Sequence, residues 1–564
     1  MTAPAPTRPT APAVDTHGGS GRRGPSSAAA RDGRRGWLAV TLVVALAVLV
    51  PVGLVVSSVV TPSRDVWAML WRTELPEMLL TTVGLMLGVV FGALVMGGGL
   101  AWLVGRYRFP GQRAFSWLLV LPLAVPAYVL GFVYLGILDH PGPVQTTLRG
   151  WFGDDVWFPQ MRSFPVAVAV MVLALYPYVY LLARAALREQ SATTYEAARM
   201  LGHGPLAAAW RVVLPMARPS LAAGAALVAM ETLTDYATVQ YFNVTTVSVG
   251  IDKVWNGMYD RGAATELASL VLLFAVAVIA VERIARGRAR YTQDGGSARP
   301  IEPVRLHGWR AWTATGLCVV VVGVTFVVPV VQLLAWTTVT GIDARFTAHL
   351  GNSLLLAAVV AVICAILGVA VASATRFSGD GVTRGLARLA TIGYAVPGPV
   401  VAVGVLLMAA AGDALLDLLG VPGGGLLLTG SVGALIYAYV VRFLALGYNS
   451  VDASLEKVTP SMTAAALTLG APPRTVMRRV HLPLIRSGVG VALVLVAVDA
   501  LKELPVVLLL RPFGFETLAV WVYQLASESR WAQAGLPALT IVLVALVPVV
   551  LLFRRTLNPK ENAR

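Results

Sequence analysis

Nine stretches of this chain run for more than twenty residues without an Asp, Glu, Lys or Arg: 37–63, 78–105, 114–138, 163–183, 311–342, 350–375, 389–412, 418–441 and 531–553. About 20 helical residues cross the hydrocarbon core of a bilayer. Lipid offers no partner to backbone N–H and C=O groups, so runs of this length and composition fold as spanning helices. Three further stretches, 218–240, 263–281 and 485–510, are apolar but interrupted by acids. Counting them gives an all-α polytopic membrane protein of about twelve helices. At 57% hydrophobic and 13% charged residues, a soluble core could not hide the apolar surface of 564 residues.

Orientation follows from arginine. Basic clusters precede the first span (Arg22, Arg23, Arg31, Arg34, Arg35) and follow every second one: Arg106, Arg108 and Arg113; Arg184, Arg188, Arg199 and Arg211; Arg286, Arg288 and Arg290; Arg376, Arg384 and Arg388; Arg442, Arg474, Arg478 and Arg479; Arg554 and Arg555. The alternate loops are balanced or acidic, as at Asp139, Asp154, Asp155, Asp413 and Asp417. Both termini are therefore expected in the cytoplasm. The net charge of +15 is topological and points to no nucleic-acid partner. Residues 1–35, rich in Pro, Gly, Ser and Ala, are expected to form a disordered tail. Arg34-Arg35 resembles the start of a twin-arginine signal, but the following run is too long and reads as an uncleaved span. A basic linker, 288–308, divides units at 36–287 and 309–556, and 557–564 form a short tail.

Chemistry-bearing motifs are few. Cys318 and Cys364 both fall in apolar runs, and no pair of the six histidines has metallopeptidase spacing. None of Lys253, Lys457, Lys502 and Lys560 sits in a Walker A loop, so no nucleotide or other cofactor is expected on this chain. ATP would be used by a partner.

The chain repeats itself at an offset of 268. Glu196-Ala197-Ala198, Gly202, Val212 and Leu214-Pro215 return as Ala464-Ala465-Ala466, Gly470, Val480 and Leu482-Pro483, with Arg211 and Arg218 answered by Arg479 and Arg486. In the first copy Thr193 and Glu196 have capping-box spacing, Gly202 and Gly204 break the helix, Pro205 opens the next, and Leu214-Pro215 ends it. The second copy holds Ala464 at the glutamate position, and Ser461 has no acid three residues on, which predicts a weaker cap. A single copy would pass as an amphipathic connector; two in register resemble the EAA loops of ABC importer permeases. That resemblance implies an ATPase dimer gripping both loops.

The same offset carries Glu231 onto Asp499 and Asp235 onto Glu503, so each half bears two acids at i and i+4 in the span after its loop. Carboxylates in hydrocarbon are costly and mark a wet pathway by default. The alternative is structural pairing, for which Lys502 stands beside Glu503.

Met230 to Tyr236 (METLTDY), Val239-Gln240-Tyr241-Phe242, Lys502-Glu503-Leu504-Pro505 and Leu510 to Ala519 (LRPFGFETLA) are similar to ferric-iron ABC transporter permeases. The likeness implies two fused permease units, a periplasmic or lipid-anchored binding protein, and ferric iron as cargo on a route through Glu231, Asp235, Asp499 and Glu503. A hard trivalent cation favours such oxygen donors. A fused thiamine permease remains open on this chemistry. A secondary transporter would share the hydropathy but gives no reason for twin loops. A structural or receptor-like membrane protein leaves the paired acids unexplained.

Overall fold

The computed structural model describes residues 27–58, 64–189, 192–208, 211, 213–258, 260–286, 303–378, 380–421 and 426–557. Among these, ten helices are long and apolar enough to cross a membrane, and an eleventh span is formed if residues 112–152, bent by 90° around Val125-Pro126, count as one. The only strands among the described residues are a two-residue parallel ladder, Tyr107-Arg108 with Val304-Arg305. Most of the expected tail and linker, and residues 558–564, lie outside the described residues, although the first helix, Ser27–Ser57, begins within the expected tail.

Two spans differ from expectation in a way that shapes the site. The stretch 218–240 is a 21-residue helix, Leu214–Thr234, that stops at Asp235 rather than continuing across. The stretch expected at 418–441 is a helix from Val432 to Leu455, started by the Ser431 side chain, which accepts from the Ala434 N–H. This shift carries Arg442, expected on the cytoplasmic flank, into the middle of the span.

The halves exchange their first helices. Ser27–Ser57 packs on the second half, against Phe346–Ser378, Gly381–Ala390 and Gly398–Leu418. The Tyr437 hydroxyl donates to the Ala47 carbonyl, and Trp37 stacks on Phe377. The Trp309–Val339 span packs on Trp531–Leu557 of its own half and also reaches the first half: Thr315 donates to the Pro110 carbonyl at 2.9 Å, Tyr134 donates to the Val324 carbonyl, and Trp336 stacks on Phe132. The strand ladder fastens the start of this exchange, with the Leu306 N–H reaching the Arg108 carbonyl at 3.0 Å.

In lipid, helices gain little hydrophobic energy from associating, so close backbone approach at small residues does the work. A Cβ on Gly404 would lie 2.4 Å from the Pro51 carbonyl oxygen, where the exchanged first helix crosses. A Cβ on Gly447 would lie 2.7 Å from the Cys364 carbonyl oxygen, and one on Gly97 2.6 Å from that of Tyr176. Gly404→Leu is therefore expected to push the first helix off the second half. Overpacking of this kind costs about 1–3 kcal/mol, and a lowered melting temperature of the purified permease is the measurement.

Candidate translocation site and docking loops

The acid-bearing helices end in the same way in both halves. Leu214–Thr234 gives way to Asp235 (φ −68°, ψ 129°) and Tyr236 (φ −116°, ψ −50°), then to a short helix, Ala237–Tyr241. Leu482–Lys502 gives way to Glu503 (φ −68°, ψ 124°) and Leu504 (φ −115°, ψ −50°), then to Pro505–Leu510. One extended residue turns the chain, and its carboxylate caps the helix that follows. Asp235 accepts from the Thr238 N–H at 2.9 Å and its hydroxyl at 2.7 Å. Glu503 Oε1 accepts from the Val506 N–H at 3.2 Å. Short helices leave their first N–H groups unpartnered, and a side-chain oxygen three residues back supplies the acceptor.

The remaining carboxylate oxygen of Glu503 meets Arg442. Arg442 Nε lies 3.0 Å from Glu503 Oε2, in contact though without the alignment of a linear hydrogen bond. The Glu503 side chain is 6% exposed and that of Arg442 10%. Lys502, expected to neutralise an acid across the interface of the halves, forms its ion pair within its own helix. Its ammonium group reaches back along the helix to Asp499 at 2.8 Å, because residues three apart share a helix face and neighbours do not. Glu231 faces the same space and feels the charges of Arg442 and Lys502.

Together these groups line a cavity of about 120 Å³ at the seam of the halves. The first half contributes Tyr128, Tyr178, Glu231, Asp235 and Tyr236; the second contributes Tyr394, Arg442, Asp499, Lys502 and Glu503. The four acids singled out from sequence thus converge on one space. They do not form a tight cluster: among the described residues, no three His, Cys, Asp or Glu side chains are gathered closely enough to hold one metal ion. The lining sets four carboxyl groups beside one guanidinium and one ammonium. Arg442 and the three tyrosines Tyr128, Tyr178 and Tyr394 were missed by sequence reasoning. The repeat held a signal for Arg442, whose counterpart at the same offset is Ala174, well inside a span.

On the opposite face, the loops before these spans share one geometry. Ala192–Met200 is followed by Gly202 (φ +84°) and Pro205–Ala208; Pro460–Thr468 is followed by Gly470 (φ +81°) and Pro473–Val476. The N–H of His203 bonds the Ala198 carbonyl and that of Gly202 the Arg199 carbonyl; Ala471 to Ala466 and Gly470 to Leu467 repeat the pattern. These are Schellman ends, which require a left-handed residue where each glycine stands.

Three expectations about the loops need correction. The first loop helix is described from Ala192, so Thr193 is already helical, past the cap position, and exposed Glu196 is its fifth residue. The second starts at Pro460, with Thr459 rather than Ser461 at the cap position and no side-chain cap bond. Leu214-Pro215 and Leu482-Pro483 end nothing: each stands where helical backbone continues into the acid-bearing span, and in the second copy a π-helical segment, Met477–His481, leads straight into Leu482. Tyr195, Ala198, Ala208 and Val213 instead form a small buried cluster that holds the first loop together, with the Arg106 guanidinium 4.8 Å over the Tyr195 ring. At the bends, Leu201 and Leu469 are 80% and 88% exposed, matching residues in the repeat.

A helical membrane fold, an internal duplication and twin loops before the acid-bearing spans are features this chain shares with permeases of the binding-protein-dependent class. Residues 97–290 match the family described as binding-protein-dependent transport system inner membrane component. The chain is 27% identical over 496 residues to the Fe(3+)-transport system permease protein FbpB 2 of Haemophilus influenzae, covering 86% of this chain and 91% of that one. It is 21% identical over 504 residues to the ferric transport system permease protein FbpB of Actinobacillus pleuropneumoniae, covering 83% and 70%. The molybdenum transport system permease protein ModB of Escherichia coli is 28% identical over 172 residues, 30% of this chain and 71% of that protein. The chain is a multi-pass inner membrane permease and resembles the ferric-iron permeases through both halves.

Proposed function

We propose that this chain carries ferric iron inward, taking it from a periplasmic or lipid-anchored binding protein and driven by an ATPase dimer seated on the two loops, with both termini in the cytoplasm. The observation that carries this reading is the cavity lined by four acids at the seam of the halves, in a chain similar along most of its length to Fe(3+) permeases. Glu231, Asp235, Asp499 and Glu503 line the route. ATP is hydrolysed by the partner, and no cofactor is held by this chain. The exposed Leu201 and Leu469 are the apolar tips that enter the ATPase, flanked by Glu196, Ala197, Ala198, Ala465 and Ala466 on the short helices. ATPase movement then reaches the acid-bearing helices directly, because Leu214-Pro215 and Leu482-Pro483 lead into those helices immediately after the loops. The cycle alternates between two global states of the halves.

Uptake of radioactive iron, thiamine and molybdate into proteoliposomes holding this chain with its ATPase and binding protein tests the reading. ATP-dependent accumulation of iron alone is expected; accumulation of either competitor in its place overturns it. The docking assignment has its own test in Gly202→Leu and Gly470→Leu. A Cβ at either position meets nothing within 4 Å, so the injury is not crowding but the left-handed backbone, which costs a non-glycine residue about 1–2 kcal/mol. Each variant is expected to keep its fold and lose most of the stimulation of ATP hydrolysis by loaded binding protein. Full stimulation in both would sink the assignment.

A further inference from the structure

The acid-bearing helices run from the docking loops to Asp235 and Glu503, so whatever follows those residues lies toward the opposite, outer face. There the halves meet through side-chain oxygens. The Tyr236 hydroxyl donates to Asp252 Oδ2 at 2.7 Å, and the Tyr523 hydroxyl donates to Gln240 Oε1. Tyr523 belongs to the second half and the other three to the first. Its ring lies 5.8 Å from that of Tyr236. Tyr236 lines the acid cavity, whereas Gln240 is exposed, so the group bridges the outside and the cavity.

We propose that Tyr236, Tyr523, Asp252 and the side-chain oxygen of Gln240 form an outer site for a ferric ion, assembled only when the two halves are in contact. The inference depends on iron being the cargo, and it names where the ion first meets the permease. All four donors are oxygens, the set a hard cation selects. Two phenolates and one carboxylate carry three negative charges, which match a trivalent ion and would over-neutralise a divalent one. On binding, each phenol O–H bond breaks, its proton passes to water, and an O–Fe bond forms; iron stays trivalent and no electron moves. A phenol ordinarily loses its proton only near pH ~10, so at neutral pH a weakly polarising cation cannot displace it and a strong Lewis acid can. That requirement is a selectivity filter. Tyr241 provides an internal control: its ring lies 5.8 Å from that of Tyr523, but its hydroxyl points to the Tyr523 backbone carbonyl, at 3.4 Å.

Ferric citrate added to the purified permease–ATPase complex should produce a visible phenolate-to-iron charge-transfer band. The band is expected to persist in Tyr241→Phe, to vanish in the Tyr236→Phe/Tyr523→Phe double variant, and to need at least tenfold more iron in Asp252→Asn. Retained ATPase co-purification and elution volume show that the variants are folded. No band in the wild type, or a band that survives the double change, overturns the site. ATP-dependent iron uptake without a band overturns the outer site and leaves the transport function standing; a band without iron uptake does the reverse.

Discussion

Replacing Arg442 by methionine is expected to destabilise the permease by about 3–5 kcal/mol, the usual cost of leaving one partner of a buried ion pair uncompensated. Glu503 would keep only the Val506 N–H as a partner, in a side chain 6% exposed. The loss should show as a large drop in melting temperature and in the yield of the complex with the ATPase. Adding Glu503→Gln to Arg442→Met removes the stranded charge while preserving the cap, because a glutamine oxygen still accepts from Val506. The double variant is therefore expected to recover most of the lost stability and to remain impaired in transport. A double variant no more stable than the single one would show that Arg442 acts through packing rather than through Glu503.

Glu231→Gln and Asp235→Asn should separate the route from the scaffold. Glu231 takes no part in capping: it stands one turn before the break and faces the cavity. Its neutralisation is expected to lower the melting temperature less than Arg442→Met does, to leave ATPase association intact, and to cut iron uptake at least tenfold. Asp235 holds the Ala237–Tyr241 helix through Thr238, so its replacement touches stability as well. Asparagine still accepts one bond, and the charge-assisted part lost is about 1 kcal/mol. Normal uptake in the Glu231→Gln/Asp235→Asn double variant would remove the acids of the first half from the pathway. Equal destabilisation in both variants would mean that Glu231, too, is a structural anchor.

The reading of a helical, duplicated permease needed only the sequence, since its signals are local: bilayer-length apolar runs, and a repeat whose offset of 268 holds from the loops into the following spans. The same offset brought Glu231, Asp235, Asp499 and Glu503 to attention, and all four do line one cavity. Gly202 and Gly470 were legible as breaks for the same reason: a left-handed residue at a helix end is a backbone requirement that one residue type meets. Helix starts were less legible. Several polar residues before each loop helix could serve as its cap; Thr193 proves to lie inside the first helix, and in the second loop Thr459 takes the cap position two residues before Ser461.

What the tertiary structure alone decided is who pairs with whom. Arg442 looked like a flank of a span because apolar residues run up to it from 418, and hydropathy cannot distinguish a span's end from an arginine buried in its middle. Only the fold puts Glu503 3.0 Å away to neutralise it and leaves Lys502 to Asp499 instead. Nor could the sequence reveal that Asp235 and Glu503 are helix caps, since that needed the break after each span, or that Tyr523 meets Tyr236 across the seam. Apolar runs and repeats are written along the chain and survive reading one residue at a time; charge pairing in a low-dielectric interior depends on distances between segments hundreds of residues apart, which exist only once the two halves have closed on each other.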